Sequence, residues 1–539
     1  MLRRELLCGL TAGVAGRLHG AGERLIECRI VDKESGRPTP ARIRLMDSRG
    51  RQVVPHGHPQ SLTEEAHEGD VRFQSRRFSY VDGSFQVNPS DLPLKYQVIK
   101  GYEYEMAEGE IEAGPSATIP LARWSRISRG GWFSGDIHIH HISPKTCRLE
   151  MDAEDLHVAN ILTSDFTADQ DQFEGHVNAN SGPERLIYVS QEFRQHQLGH
   201  LCVLNLKRLI EPVMVARPEH YPLLSTACDQ AHAQGGYVSW AHFPSWPGVE
   251  GPLGVALEKL DGLEILSVLE PRDFPVFMRQ VVPEVEANDG LRLWYRYLNC
   301  GYRLTATAGT DKMTNYVTVG ANRVFAHADH GEFTYQSWID ALKRGRTFIT
   351  NSPILSFTVN GREPGETIES ARHQVLRIEA KAESQLPYHR LEIVANGEVI
   401  ADATPSGARH STAIRVEHTP SSSCWLAARA VEDIRPYRQR GVPFPTIHVK
   451  EGTLHGNYFG TRRPETVFAH SSPVYVVVGG APVRSYDDAG YYVQYMEKCL
   501  DWLDKEGKFL RPSDKRATLE AFREGRARWL KRQEEAQRR

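Results

Sequence analysis

The sequence predicts a multidomain protein of the α/β plus β class, in which a central α/β unit lies between two β-sandwich domains and a helical tail follows. Three observations predict this arrangement. The chain has 539 residues, which is too many for a single hydrophobic core. Short apolar strands alternate with helical stretches over residues 128–350. On either side of that region, short alternating strands and turn residues follow one another without helical stretches.

The first residues have the composition of an export signal. Arg3 and Arg4 precede a short apolar stretch from Leu6 to Ala15, and small residues follow it. This pattern predicts a twin-arginine-type signal peptide over residues 1–22, and therefore a periplasmic or extracellular protein. The alternative interpretation is a leucine-rich start of a cytosolic chain.

Charge and cysteine content exclude several classes of protein. The formal net charge is -3, which gives no electrostatic reason to expect nucleic acid as a partner. No apolar run is long enough to span a bilayer. The eight cysteines are scattered without a C-x-x-C pair, so neither a zinc ribbon nor a complete disulfide framework is expected. We expect most of them to be buried thiols.

The two flanking regions are predicted to be β-sandwiches. Residues 23–125 contain short strands, with an Asp82-Gly83 turn between two of them. Residues 351–476 show the same alternation, and Asn396-Gly397 is a strong hairpin signal. Both domains are expected to serve as scaffolds or to recruit substrate. Residues 480–539 have apolar residues three or four apart, which predicts helices, with Ser513 capping the last one.

The stretch GDIHIHH in the first strand of the central region predicts a metal site. Side chains alternate between the two faces of a strand, so Asp136, His138 and His140 share one face. Ile137 and Ile139 lie on the other face, where they can pack in a core. Two neutral imidazoles on one face suit a transition-metal ion, although a polar face exposed to solvent is the plainer reading.

Other metal-capable side chains lie near the ends of later strands in the central region. In a (β/α) barrel, functional residues gather at the carboxyl ends of the strands. If the barrel forms, these residues converge with the two histidines of the first strand. They are Glu192, His200, His242 and Asp311, and Asp165 ends a further strand.

This order of residues resembles the PHP (polymerase and histidinol phosphatase) metallohydrolase superfamily, and within it the CehA/McbA-like group. The family motifs stand here as HIH at 138–140, TSD at 163–165, AHFP at 241–244 and GTDKM at 309–313. The resemblance covers roughly residues 130–350. It implies a distorted (β/α)7 barrel and metal-dependent hydrolysis.

The resemblance also implies ligand sets for two divalent metal ions. Histidines and carboxylates without thiolates favour zinc or manganese, with iron as a third option. One ion would take His138, His140, Glu192 and Asp311, and the other would take Glu192, His200 and His242, with Glu192 bridging.

The sequence departs from the family where a third metal would bind. Asp165 stands in place of a histidine, Lys312-Met313 replaces the last one, and only His141 follows the HIH motif closely. Two metals are therefore expected. Asp136 is a candidate for orienting a ligand imidazole or relaying a proton. His141 and Asp165 are candidates for substrate contact or proton delivery.

The expected activity is hydrolysis of an ester, amide or carbamate bond by a hydroxide held between the two metals. A small-molecule or polymer-derived substrate is expected. One alternative is a phosphoesterase, for which the candidate phosphate-binding cations are Lys145, Arg148, Arg185, Arg194 and Lys312. The alternative from another class is a non-catalytic exported binding protein with a metal-stabilised barrel.

Overall fold

The computed structural model describes residues 24–63, 66–73, 76–164, 168–213, 218–243, 248–267, 290–328, 333–431 and 467–538. The predicted signal segment at residues 1–22 and the candidate site residue Asp165 lie outside these ranges. Mostly β structure fills the described part, with several sheets and seven α-helices.

The amino-terminal region contains nine strands in two sheets. They are Ile26–Asp32 (β1), Ala41–Met46 (β2), Gln52–Val53 (β3), Val71–Phe73 (β4), Arg76–Val81 (β5), Ser84–Val87 (β6), Leu94–Ile99 (β7), Ala107–Ile111 (β8) and Ser116–Leu121 (β9). One sheet has the order β6-β1-β9, and the other has the order β4-β5-β2-β7-β8, with β3 on β2. In β1 every second residue, such as Cys28 and Ile30, is buried, as expected for strands that cover a core.

The central region contains nine strands and five helices. The strands are Trp132–Ile139 (β10), Val158–Thr163 (β11), Leu186–Gln195 (β12), Gly199–Leu204 (β13), Tyr237–Trp240 (β14), Gly262–Leu266 (β15), Thr305–Ala308 (β16), Arg323–His327 (β17) and Thr347–Thr350 (β18). The helices are Pro144–Ala153 (α1), Leu224–His232 (α2), Gly251–Ala256 (α3), Gly290–Asn299 (α4) and Tyr335–Lys343 (α5).

Strands β10 to β16 are neighbours in sequence order in one curled sheet. Four of these pairings are parallel, but β13 is antiparallel to both β12 and β14. The chain after β16 meets the end of β10 through an isolated parallel bridge between Ile139 and Lys312. Among the described residues no ladder joins β16 to β10, so the predicted (β/α)7 barrel stays a proposal.

The same sheet continues into the carboxyl-terminal β region. Its nine strands are Ile354–Val359 (β19), Thr367–Ser370 (β20), Leu376–Glu383 (β21), Arg390–Ala395 (β22), Glu398–Ala403 (β23), Thr412–His418 (β24), Cys424–Val431 (β25), Phe468–Ser471 (β26) and Val474–Val478 (β27). Strand β18 pairs with β26, whereas β19, β21 and β24 form a separate sheet. The predicted Asn396-Gly397 hairpin is confirmed, because these residues join the paired strands β22 and β23 with positive φ angles.

The predicted helical tail is a pair of long helices, Tyr486–Glu506 (α6) and Pro512–Gln537 (α7). Trp529 of α7 is fully buried, and its indole N–H donates to the carbonyl oxygen of Pro252 in α3. The prediction that Ser513 caps the last helix is wrong. The helix begins at Pro512, and Arg511 occupies the cap position without a side-chain hydrogen bond. Proline at the first helical position needs no hydrogen-bond partner for its nitrogen.

Candidate metal centre

Strand β10 brings the rings of His138 and His140 together. Nδ1 of His138 donates to the Glu264 carboxylate at 3.1 Å, and Nδ1 of His140 donates to the Leu162 carbonyl oxygen at 2.7 Å. Because these oxygens accept, each ring in its neutral form leaves Nε2 with a lone pair. The two Nε2 atoms lie only 3.0 Å apart. Two lone pairs this close repel each other in a buried site. A cation bound by both nitrogens and by the neighbouring carboxylates would remove that repulsion.

Glu192 of β12 lies between these histidines and a second pair. Its Oε2 is 3.2 Å from Nε2 of His140, and its Oε1 is 3.0 Å from Nδ1 of His200 and 3.7 Å from Nε2 of His242. Residue 192 is opposite Cys202 in the antiparallel β12–β13 pair, so its side chain projects from the same face as His200. Nδ1 of His200 is 3.3 Å from Nε2 of His242.

Asp311 completes the first group from the turn after β16. Its Oδ1 lies 3.4 Å from Nε2 of His138 and 3.6 Å from Nε2 of His140. The φ angles of Asp311 and His242 are 45° and 35°. Positive φ is uncommon outside glycine, and such residues persist where the surrounding structure holds them, often at functional sites.

All six predicted metal ligands are therefore buried in one cluster. Two sets of ligand atoms could each hold a metal ion, and both sets contain Glu192. The ligand atoms within each set all lie within 4.8 Å of one another. The predicted ligands are His138, His140, Glu192, His200, His242 and Asp311.

The turn that carries Asp311 is fixed by Asp136. Thr310 donates its backbone N–H to Oδ1 of Asp136 at 3.0 Å and its hydroxyl to Oδ2 at 2.6 Å. The backbone N–H groups of His138 and Gly320 donate to the same carboxylate. Burial raises the pKa of Asp136 to about 6, and these hydrogen bonds oppose the rise. In the described part of the chain, the Asp136 carboxylate thus contacts backbone groups and the Thr310 hydroxyl. The predicted contact with a ligand imidazole is not among these contacts.

His141, the second candidate catalytic residue, follows His140 with a φ angle of 54°. Its ring centroid is 6.2 Å from that of His140 and 4.7 Å from that of His67. Burial lowers the pKa of His141 to about 4, and the neighbouring histidines add to this effect. Asp165 lies outside the described residues, so its predicted role stays a prediction.

Glu264 of β15 is the site residue that the sequence did not single out as a ligand or catalytic group. Its carboxylate accepts from Nδ1 of His138 and from the backbone N–H of His242. It therefore contacts one residue of each ligand set. With His138 and Cys202 it also forms a third group of metal-capable atoms within 4.8 Å. Its position within the strand sequence DGLEIL was the available signal, but a carboxylate that binds groups of the core gives the same pattern.

Electrostatics keep the shared carboxylate anionic. Burial alone would raise the pKa of Glu192, but His200 and hydrogen-bonding contacts with the neighbouring imidazoles hold it well below its usual value. Burial lowers the pKa of His200 to about 4, and Glu192 opposes that shift only in part. A buried carboxylate among imidazole nitrogens is the donor set that zinc, manganese and iron prefer.

No family model matches the chain, and no curated protein or solved structure matches it either. None of the described helices is long and apolar enough to cross a membrane. The seven described cysteines are buried free thiols, as their spacing predicts. The fold and this cluster together define a mostly β protein whose buried histidines and carboxylates could hold a metal ion.

Proposed function

We propose that this protein is a metal-dependent hydrolase of the PHP superfamily, in the CehA/McbA-like group. The observation that carries the proposal is the pair of Nε2 atoms of His138 and His140, 3.0 Å apart, with both Nδ1 hydrogens committed elsewhere. The order β10 to β16 and the bridge between Ile139 and Lys312 support a distorted (β/α)7 barrel around this site.

The donor set fits two divalent ions that share Glu192. His138, His140 and Asp311 would complete one set, and His200 and His242 would complete the other. Two such ions, when bound, supply positive charge and lower the pKa of a water molecule between them. Zinc or manganese suits these ligands best, with iron as a third option.

The remaining residues hold this arrangement in place. Glu264 orients His138 and fixes the backbone of His242, while Asp136 fixes Thr310 and so the adjacent Asp311. Rigid ligands need little reorganisation when charge develops on a substrate oxygen. In this proposal Asp136 is a positioning residue, and His141 and Asp165 remain the candidates for substrate contact or proton delivery.

The contacts of the cations favour an ester, amide or carbamate over a phosphoester. A phosphoesterase needs several cations around the phosphate. Lys312 is fully buried and donates to the carbonyl oxygen of Val317, and Arg148 is bonded to Asp152. Arg185 pairs with Asp152 of α1 and with Asp155. Of the candidate cations, Arg194 is the one with an ion pair to a predicted ligand, at 3.6 Å from Glu192.

The proposal is tested by metal analysis of purified protein and four variants. Glu192→Gln is expected to reduce both ions, His138→Ala mainly the first and His200→Ala mainly the second. Asp165→Ala is expected to leave metal content unchanged. A protein that takes up no metal after reconstitution overturns the proposal, and about three ions with one lost in Asp165→Ala overturns the two-metal arrangement.

Turnover separates the alternatives. The metal-loaded protein is expected to hydrolyse members of a panel of small esters, amides and carbamates, and to lose this activity in Glu192→Gln. Preference for a phosphomonoester or phosphodiester would support the phosphoesterase. Metal binding without turnover of any substrate would support the non-catalytic binding protein.

A further inference from the structure

A segment of the amino-terminal β region lies along the loop that follows Asp311. The backbone N–H of Asn315 donates to the carbonyl oxygen of Ala66 at 2.9 Å, and the backbone N–H of Arg72 donates to that of Asn315 at 2.8 Å. The side-chain amide of Asn315 donates to the carbonyl oxygen of Glu68 at 2.7 Å. Residues 66–72 are therefore held against this loop at Asn315.

The same segment is also attached to the start and end of α1. The Glu68 carboxylate accepts from the backbone N–H and the hydroxyl of Ser143, both at 2.8 Å. The backbone N–H of Gly69 donates to Oε1 of the buried Glu150 at 3.0 Å. These contacts join the segment to the loop that follows the His138–His140 strand as well as to the loop that follows Asp311.

His67 lies between these two attachments. Its ring centroid is 4.7 Å from that of His141, and its Nδ1 is 2.7 Å from the carbonyl oxygen of Met313. Because a carbonyl oxygen can only accept, Nδ1 carries the hydrogen, and the neutral ring presents Nε2 as a hydrogen-bond acceptor. The side chain of His67 is exposed. Its backbone neighbours are held, whereas its ring remains accessible to an incoming molecule.

We propose that His67 binds substrate at the edge of the metal site, where its ring accepts a hydrogen bond from an N–H or O–H group of the substrate. An amide or carbamate with a free N–H supplies such a donor. An analogue whose nitrogen is fully alkylated lacks it. This inference rests on the proposed hydrolase function. The sequence predicted a site made only of residues from the central region, whereas His67 belongs to the amino-terminal region.

Matched substrate pairs test the inference. Aryl carbamates and anilides with a free N–H are compared with their N-methylated analogues, using metal-loaded full-length protein. His67→Ala is expected to lower kcat/KM about three- to tenfold for the N–H substrates, which is the net worth of one neutral hydrogen bond. Values for the N-methylated substrates are expected to stay within about twofold. Metal content and melting temperature are expected to match those of the unmodified protein.

Two further variants complete the design. His56→Ala replaces another exposed histidine of the same region and is expected to leave every value unchanged. His67→Gln can place an amide oxygen near the position of Nε2 and is expected to recover part of the loss.

The failures of the two proposals are distinguishable. An equal loss on both members of a pair, no loss on either, or reduced metal content in His67→Ala overturns the role of His67 while the hydrolase function stands. If the unmodified metal-loaded protein hydrolyses no substrate of the wider panel, the hydrolase function fails and the role of His67 fails with it.

Discussion

Replacing Glu264 with glutamine is expected to weaken both metal sites, although Glu264 is not one of the predicted ligands. Its carboxylate accepts hydrogen bonds from Nδ1 of His138 and from the backbone N–H of His242. Oε2 accepts from both donors, and Nδ1 of His138 is also 3.2 Å from Oε1. A glutamine oxygen in place of Oε2 is neutral and therefore a weaker acceptor for both donors, and the NH₂ group then faces the Nδ1 hydrogen of His138. One residue of each ligand set is affected, because His138 belongs to the first set and His242 to the second.

The expected loss can be scaled from these contacts. Removing the partner that orients a metal-bound histidine lowers metal affinity about 10- to 100-fold, or about 1.4 to 2.7 kcal/mol. An unsatisfied buried donor also lowers the free energy of unfolding of the metal-free protein by about 1 to 3 kcal/mol. Metal affinity is measured by competition with a chromophoric chelator, and stability by urea unfolding.

Glu250→Gln is the matched control for this change. Glu250 is also fully buried, and it accepts the backbone N–H groups of Leu224 and Ser225 at 2.7 and 2.8 Å, at the start of α2. It is expected to lose stability by a similar amount without a change in metal affinity. An unchanged affinity in Glu264→Gln, or an equal loss in Glu250→Gln, would refute the argument that Glu264 positions the ligands.

Substitutions at Gly309 and Thr310 test the surroundings of the site, and a change of pH tests the buried carboxyl of Glu250. Gly309→Ala is expected to abolish metal binding and lower the melting temperature, because a Cβ there would lie 2.3 Å from Oε1 of Glu264; normal metal content would contradict this. Thr310→Ala removes the 2.6 Å hydrogen bond to Asp136 and is expected to lower metal affinity, whereas Thr310→Ser, which keeps the hydroxyl, is expected to keep that affinity. Metal titration of both variants tests this, and equal affinities would contradict it. Burial raises the pKa of Glu250 from 4.5 to about 7, and hydrogen bonds from backbone N–H groups oppose the rise. The folded form therefore binds this proton more tightly, so its contribution to stability is present below about pH 4.5 and is lost as the pH rises to about 7. The difference in urea stability between the unmodified protein and Glu250→Gln should fall over that range, and a difference that rises would contradict the sign.

The ligands could be found from the sequence because each one lies at or near the end of a strand. Alternation along GDIHIHH predicts that His138 and His140 share a face, and the structure places their Nε2 atoms together. Glu264 could not be assigned in the same way. Its partners, His138 and His242, are 126 and 22 positions away in the sequence. A carboxylate within a strand looks the same in sequence whether it contacts a metal ligand or a group of the core.

Long-range pairing is the second feature that the sequence could not specify. The Asp82-Gly83 turn does have strands on both sides, but those strands do not pair with each other. Strand β5 pairs with β2 and β4, whereas β6 pairs with β1 in the other sheet. A turn signal determines where the chain changes direction, but the partner of each strand depends on residues far away in sequence.

The seam between β18 and β26 has a consequence for aggregation. Phe348, Ile349 and Thr350 pair with the strand Phe468–Ser471, more than a hundred residues later in the chain. A chain cut after Thr350 would leave the backbone groups of this strand, with the apolar Phe348 and Ile349, along an unprotected sheet edge. Such edges recruit strands from other molecules. Any shortened chain that ends there is therefore expected to precipitate by edge-to-edge association, even though every predicted metal ligand would still be present.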